Sequence, residues 1–290
     1  MLDTPKTFPR VRFRQITDSD VNDVVELLTR GFAPRRGRAF WQNAMARLAA
    51  HTPPPGVPRY GYMLDAGSGP VGLVLMVSST TPTGEVRSNV SSWCVEPAFR
   101  SYASLMITQA FRRKDITYVN LTPVPHTHPI LQAQGYSRYA NGVFIAALPL
   151  QFLARAPRMR VVPAHATPRS SFDAFEQRLL LDHVGYGCIG LWCETEERAH
   201  PFVFRLRSLK GIPGAQLIYC RDTADCVRFI GPLARYLTLR GRPLLVIDAN
   251  GPIPGLVGKY FDGTMPRFFR GPQRPRLGDL AYSEIAMFGV

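Results

Sequence analysis

The chain has 290 residues, 46% of them hydrophobic, which suits one large or two modest globular domains. Its formal net charge is +14; residues 1–150 carry 16 Lys and Arg against 9 Asp and Glu, and residues 151–290 carry 19 against 12. The excess is spread, which excludes a basic tail and fits either solubility or an anionic partner: a phosphorylated cofactor, an acidic glycan, a lipid surface or nucleic acid.

In chain order, Met1-Leu2-Asp3-Thr4-Pro5-Lys6 lacks the basic-then-apolar pattern of a signal peptide. Val11 to Ile16 alternates as a strand does, and Thr17-Asp18-Ser19-Asp20 offers capping oxygens to a helix from Val21 to Arg30 that Gly31 ends. The basic loop Arg35-Arg36-Gly37-Arg38 leads to a second helix, Ala39 to His51, with Phe40, Trp41, Ala44, Met45 and Leu48 inward. The proline-rich run Thr52 to Pro58 is a loop. Strands follow at Tyr60 to Leu64, Val71 to Ser78 and Val90 to Val95. The last stops at Pro97 and feeds a helix through Ser101 to Phe111, with Arg112, Arg113 and Lys114 in its last turn. A helix N-terminus there has unpaired amides, and Arg100 adds charge beside them. Ile116 to Leu121 is a further strand, roughly parallel to Val90 to Val95 because a helix crosses between them. His128 to Gln134 is a short helix stopped by Gly135, and Gly142 to Leu148 is a closing strand.

This α/β order, with its mixed sheet, resembles the GNAT superfamily of acyl-CoA-dependent acyltransferases over about residues 10–150. Val95-Glu96-Pro97-Ala98-Phe99-Arg100 is similar to the family's "V-x-P-x-x-R" strand end, and Gln134-Gly135-Tyr136 is similar to the "G-F" closing its fourth helix. The resemblance implies acetyl-CoA or another acyl-CoA as substrate, its pantetheine arm lying like an added strand between the Val90–Val95 and Ile116–Leu121 strands. The donor would then be held by Trp93, Cys94, Val95, Arg100, Ser101, Tyr102, Ala103, Ser104 and Leu105, with the pyrophosphate on amides around Ser101–Leu105. Two departures stand out. The family's Q/R-x-x-G-x-G/A loop reads here Arg100-Ser101-Tyr102-Ala103-Ser104-Leu105, without either glycine, and Leu131 stands where the family often has the tyrosine that protonates the leaving thiolate.

Residues 151–169 read as a linker with one strand near Met159–Val162, after which the order of residues 40–121 recurs. Ser171 to His183 is a helix; Cys188 to Glu194, Phe202 to Leu206 and Gln216 to Cys220 are strands; Asp222 to Leu239 is a helix and Leu244 to Asp248 a strand. Gly255 to Phe261 is expected as a short helix, and Phe268–Phe269 and Tyr282 to Phe288 as closing strands. The expected architecture is therefore two tandem GNAT-like copies, an acyltransferase domain at 1–150 and a degenerate copy at 151–290, each around a splayed mixed sheet. A single domain with an unrelated C-terminal partner is the alternative.

Acyl transfer from a thioester needs a neutral nucleophile, a stabilised oxyanion and a proton for the thiolate. His126 and His128, in the proline-rigid loop Pro123 to Pro129, are the leading candidates for proton relay, against ordinary loop histidines. Cys94 could take the acyl group or simply pack, and Glu96 could be a base or a strand-end carboxylate. No metal is expected: His126 and His128 lack a third ligand, and Cys94, Cys188, Cys193, Cys220 and Cys226 read as thiols in a reducing cytoplasm. No apolar run reaches the ~20 residues of a membrane-spanning helix, which leaves peripheral contact. The function expected is transfer of an acetyl or longer acyl group to an amine or hydroxyl of a small or sugar-like acceptor, acidic or phosphorylated to suit the positive charge. The competing expectation is a non-catalytic protein that binds CoA or an anionic partner. Specific nucleic-acid binding has the charge but no aromatic-basic motif.

Overall fold

In the computed structural model, which describes residues 11–289, the alternation at the start of the chain produces strand β1 (Arg12–Gln15). The turn after it is held by Asp20, whose carboxylate accepts from the Thr17 amide at 2.8 Å, the Thr17 hydroxyl at 2.6 Å and both η nitrogens of Arg14 at 2.7 Å. Helix α1 (Val21–Gly31) then buries Val24, Val25, Leu27 and Leu28, and α2 (Arg38–Ala50) buries Trp41, Ala44, Met45 and Leu48. Each of those large apolar side chains contributes about 1.5–3 kcal/mol by leaving water. Three more strands, β2 (Gly61–Asp65), β3 (Pro70–Thr80) and β4 (Val86–Val95), pair in sequence with β1 as an antiparallel meander. α1 packs on β3 and β4, and β3 is buried along nearly its whole length. A 3-10 turn at Pro97–Tyr102 precedes α3 (Ala103–Ala110), and β5 (Thr117–Asn120) follows.

The chain divides into two compact units, Met1–Tyr118 and Val119–Val290. The second opens with α4 (His128–Ala133) and β6 (Ser137–Ala147). It continues with β7 (Arg160–Pro163), α5 (Ala174–Gly185), β8 (Ile189–Glu194), β9 (Ala199–Leu209) and β10 (Ile212–Cys220). After these come α6 (Thr223–Arg228), α7 (Ile230–Thr238), β11 (Leu244–Ala249), β12 (Gly258–Arg270) and α8 (Glu284–Met287). Within this unit the strands run β12-β6-β11-β10-β9-β8-β7. β10 and β11 are parallel and the other registered pairs antiparallel. Within this unit, Val119–Val290, β6 pairs with β11 on one edge and β12 on the other.

Three local expectations are corrected. The helix expected over Asp222 to Leu239 breaks at Phe229, because Pro232 has no amide for the carbonyl a continuing helix would offer; it lies instead in the first turn of α7. Residues 255–261 are not a helix: from Gly258 they form β12, which lies along β6 from Gly258↔Ala146 to Asp262↔Gly142. Glycines permit that approach, since a β carbon on Gly142 would fall 2.2 Å from the Phe261 carbonyl and one on Gly258 2.2 Å from that of Ile145. Tyr282 to Phe288 is not a strand but carries the buried helix α8, entered through Ser283 at its N-cap and Tyr282 at φ 49°.

Candidate functional site

The end of β4 departs from a regular ladder. Leu73 pairs with Cys94 and Leu75 with Ser91, so Ser92 and Trp93 face the single residue Val74. Ser92 is held at φ 53°, a left-handed conformation unusual for a side-chain-bearing residue. Such a bulge turns backbone groups off the ladder and leaves them for another partner. The Trp93 indole nitrogen is buried there with no hydrogen-bond acceptor among the described residues. A buried donor left this way is uncommon in a native fold.

Beyond the bulge, Glu96 pairs with Arg30 of α1 at 3.0 Å. Pro97 opens the 3-10 turn, a position where its missing amide costs nothing. The Phe99 amide donates to the Glu96 carbonyl at 2.9 Å and the Ala103 amide to that of Arg100, so both are engaged within the turn. Arg100, Ser101 and Ser104 are exposed, as is Leu105 at 52%, while Tyr102 and Ala103 are half-buried. Leu105 therefore projects outward instead of filling the core. Asp23, Glu26, Arg30, Gly69, Val71 and Glu96 line a groove of about 230 Å3 beside this strand end.

Cys94 is half-buried, and burial together with the nearby Glu96 charge pushes its thiol up from the ordinary range, against the partial opposition of Arg30. The protonated thiol is thereby favoured. Cys94 and Glu96 come together at one strand end in the first unit. His126 and His128 belong to the second. His126 is exposed on a 3-10 turn, Pro125–Thr127. His128 opens α4 with its ring 5.1 Å from that of Phe268, and its Nε2 is buried with no partner among the described residues. No group of three or more His, Cys, Asp or Glu side chains among the described residues is arranged to hold a metal ion. Sequence reasoning missed the bulge and the Arg30 contact: no glycine marks Ser92, and Arg30 lies 66 residues before Glu96.

The second unit repeats part of this geometry. β10 carries an irregularity between Leu217 and Tyr219 in its pairing with β9, and its register with β11 ends at Gln216↔Val246. On the edge this frees, the Cys220 amide donates to the Gly278 carbonyl at 2.9 Å and the Leu280 amide to the Ile218 carbonyl at 2.7 Å. An extended piece of the C-terminal segment is thus laid against β10 by main-chain bonds. His183, fully buried, holds the segment's next turn. Its Nδ1–H donates to the Leu179 carbonyl at 2.7 Å, its Nε2 accepts the Tyr282 amide at 3.1 Å, and the Tyr282 hydroxyl donates to Asp182 at 2.6 Å.

No protein-family model matches the sequence, and no curated protein matches it. Solved structures do. A Pyrococcus horikoshii protein assigned as an acetyltransferase aligns over 95% of this chain and 94% of its own, with a TM-score of 0.56 and 15% identity. A GCN5-related N-acetyltransferase from Kribbella flavida aligns over 90% and 70%, at 0.54 and 13%. One from Anabaena variabilis aligns over 90% and 72%, at 0.55 and 12%. The chain has the GNAT fold.

Proposed function

We propose that the protein is an acyltransferase that moves an acyl group from acyl-CoA to an amine. The observation that carries it is the bulged end of β4, with Ser92 in a left-handed conformation and the Trp93 indole N–H buried without an acceptor among the described residues. The bulge turns main chain away from β3, where it is available to the thioester carbonyl as negative charge develops on oxygen. The amine nitrogen would attack that carbonyl, forming the C–N bond. Collapse of the tetrahedral intermediate would break the C–S bond, the sulfur taking a proton and the nitrogen giving one up. Cys94 is not needed as an intermediate carrier, since its raised thiol pKa disfavours the thiolate. His126 and His128 belong to the second unit and are given no proton-transfer role. Arg100 and the exposed Ser101 and Ser104 are the polar groups nearest the expected pyrophosphate.

An amine is favoured over the acidic acceptor that net charge suggests, because the groove beside β4 carries Asp23, Glu26 and Glu96 against Arg30. The order of elements in residues 151–270 supports a tandem second copy. The slot in that copy, between β10 and β11, is taken by residues 278–280, so the donor is assigned to the first copy alone. The five free cysteines suit a reducing compartment and support a cytoplasmic location.

A second function has its own observation: the Ala103 amide is already engaged by the Arg100 carbonyl, which removes a donor from the pyrophosphate cradle expected on Ser101–Leu105 and favours a protein that senses CoA without turnover. Incubating the full chain with acetyl-CoA and a panel of primary amines, with free thiol followed colorimetrically, separates the two. Amine-dependent thiol release supports transfer; saturable acetyl-CoA binding with no thiol release across the panel supports sensing.

A further inference from the structure

A second cavity, of about 240 Å3, lies wholly within the second unit, and its wall includes Leu121, Pro123, Arg207, Gln216, Met265 and Ile285. β9 supplies Arg207, β10 supplies Gln216 and β12 supplies Met265, the last at φ 53° in the irregular stretch where the β12–β6 register shifts. One η nitrogen of Arg207 donates to the Gln216 side-chain oxygen at 2.7 Å and reaches the Met265 sulfur at 3.5 Å. The Arg207 Nε and the Gln216 Nε2 are both buried and have no acceptor among the described residues, and Gln216 as a whole is 2% exposed.

The carboxylates in the neighbourhood are committed elsewhere. Asp248 accepts from Arg267 Nε at 2.8 Å and from its Nη2 at 3.0 Å, and Glu284 accepts the Thr122 hydroxyl at 2.6 Å. Arg207 forms no ion pair with any described carboxylate. Burial, and then the charge of Arg267, pull its guanidinium below the ordinary arginine range, with Asp248 opposing. A partly buried cation beside two unanswered donors is an arrangement that costs stability unless something absent from the protein itself answers it. The apolar part of the lining is Leu121, Pro123, Met265 and Ile285.

We infer that this cavity binds a small organic carboxylate, its charged end on Arg207 and Gln216 and its hydrocarbon end against Leu121, Pro123, Met265 and Ile285. The volume lies below the ~300–1,000 Å3 of pockets for drug-sized ligands, so the acid has roughly four to eight heavy atoms. One uncommitted cation and an apolar wall suit a monoanion better than a phosphate dianion. The site is independent of the acyl-CoA assignment and would stand if that assignment failed.

Calorimetric titration and thermal melts of the full chain with butyrate, the uncharged isostere butyramide and inorganic phosphate test it. Butyrate should bind saturably and raise the melting midpoint, with butyramide at least tenfold weaker. Arg207→Met should weaken butyrate at least tenfold while melting no lower than the parent in its absence, because an unpaired buried charge is gone. Should Arg207→Met fail to fold, Arg207→Lys carries the test: weakening of threefold or more supports the site, and unchanged affinity overturns it. Absence of butyrate binding, equal affinity for butyramide, or stabilisation by phosphate alone also overturns it.

Discussion

The sulfur of Cys94 lies directly against the α carbon of Gly31: a β carbon built on Gly31 would stand 2.3 Å from Sγ. The last residue of α1 is thereby pressed onto the strand end that carries the bulge, and the thiol works as a packing group at that contact. Gly31→Ala should cost about 1–3 kcal/mol in urea unfolding, the range for overpacking a filled contact. Adding Cys94→Ala to it should recover most of that loss. Cys94→Ala alone should leave any acyl transfer within about twofold of the parent, as the proposed direct transfer requires.

The main-chain bonds between β10 and the C-terminal segment make a second prediction. Leu280→Pro removes the amide that donates to Ile218 and leaves that buried carbonyl unanswered. A loss of about 2–4 kcal/mol is expected, with hydrogen exchange quickening at Cys220 and Tyr282 before the rest of the unit. Exchange that stays uniform across the second unit would mean the segment is not a separate latch.

Much of the first half was legible because its elements carry local punctuation. Asp20 and Thr17 announce the start of α1, Pro97 stops β4, and Gly135 ends the turn after α4. Pro232, which divides α6 from α7, is in plain view within its segment; the other two misreadings share a physical cause, a deciding contact that is distant in sequence. Gly258 to Phe261 has no clear period, and it becomes a strand because β6, more than a hundred residues earlier, offers an edge to pair with. Tyr282 to Phe288 is a short apolar run that fits a buried strand or a buried helix equally; the His183 and Asp182 contacts to Tyr282 select the turn that starts α8. Of the proposed site, Trp93, Cys94 and Arg100 are named through the family resemblance carried by the strand–turn–helix stretch, and Glu96 from its place at the strand end. The bulge at Ser92 and the unpaired Arg207 could not, since neither has a local signature.

Asp20 makes a pH-dependent prediction. The Arg14 fork, aided by the Thr17 hydroxyl and amide and opposed by burial, holds its carboxyl well below the usual carboxylate range. A depressed folded pKa contributes stability above the unfolded value of about 3.9, and that contribution fades as pH falls toward the folded value. Asp20→Asn should therefore cost about 1–2 kcal/mol at pH 7, as the loss of charge-assisted hydrogen bonds to Arg14 does, and the gap to the parent should shrink steadily below about pH 4. A gap that stays constant from pH 7 to pH 3 would show that Asp20 acts by shape and not by charge.

Arg267 is 2% exposed, forked onto Asp248 and also bonded to the Leu121 carbonyl. Removing one partner of such a pair strands the other's charge, so Arg267→Met should cost about 3–5 kcal/mol. Arg267→Met combined with Asp248→Leu should cost clearly less than the single change, and a double-mutant cycle in urea would show it.

Calorimetric titration of the full chain with acetyl-CoA bears most directly on the assignment of the donor slot. Saturable binding of one acetyl-CoA per chain, weakened severalfold by Arg100→Ala, is the expected result if the proposed donor slot is at the bulged end of β4, since the corresponding edge of β10 is held by Gly278 and Leu280. Two molecules bound per chain, or none at millimolar concentration, would contradict it.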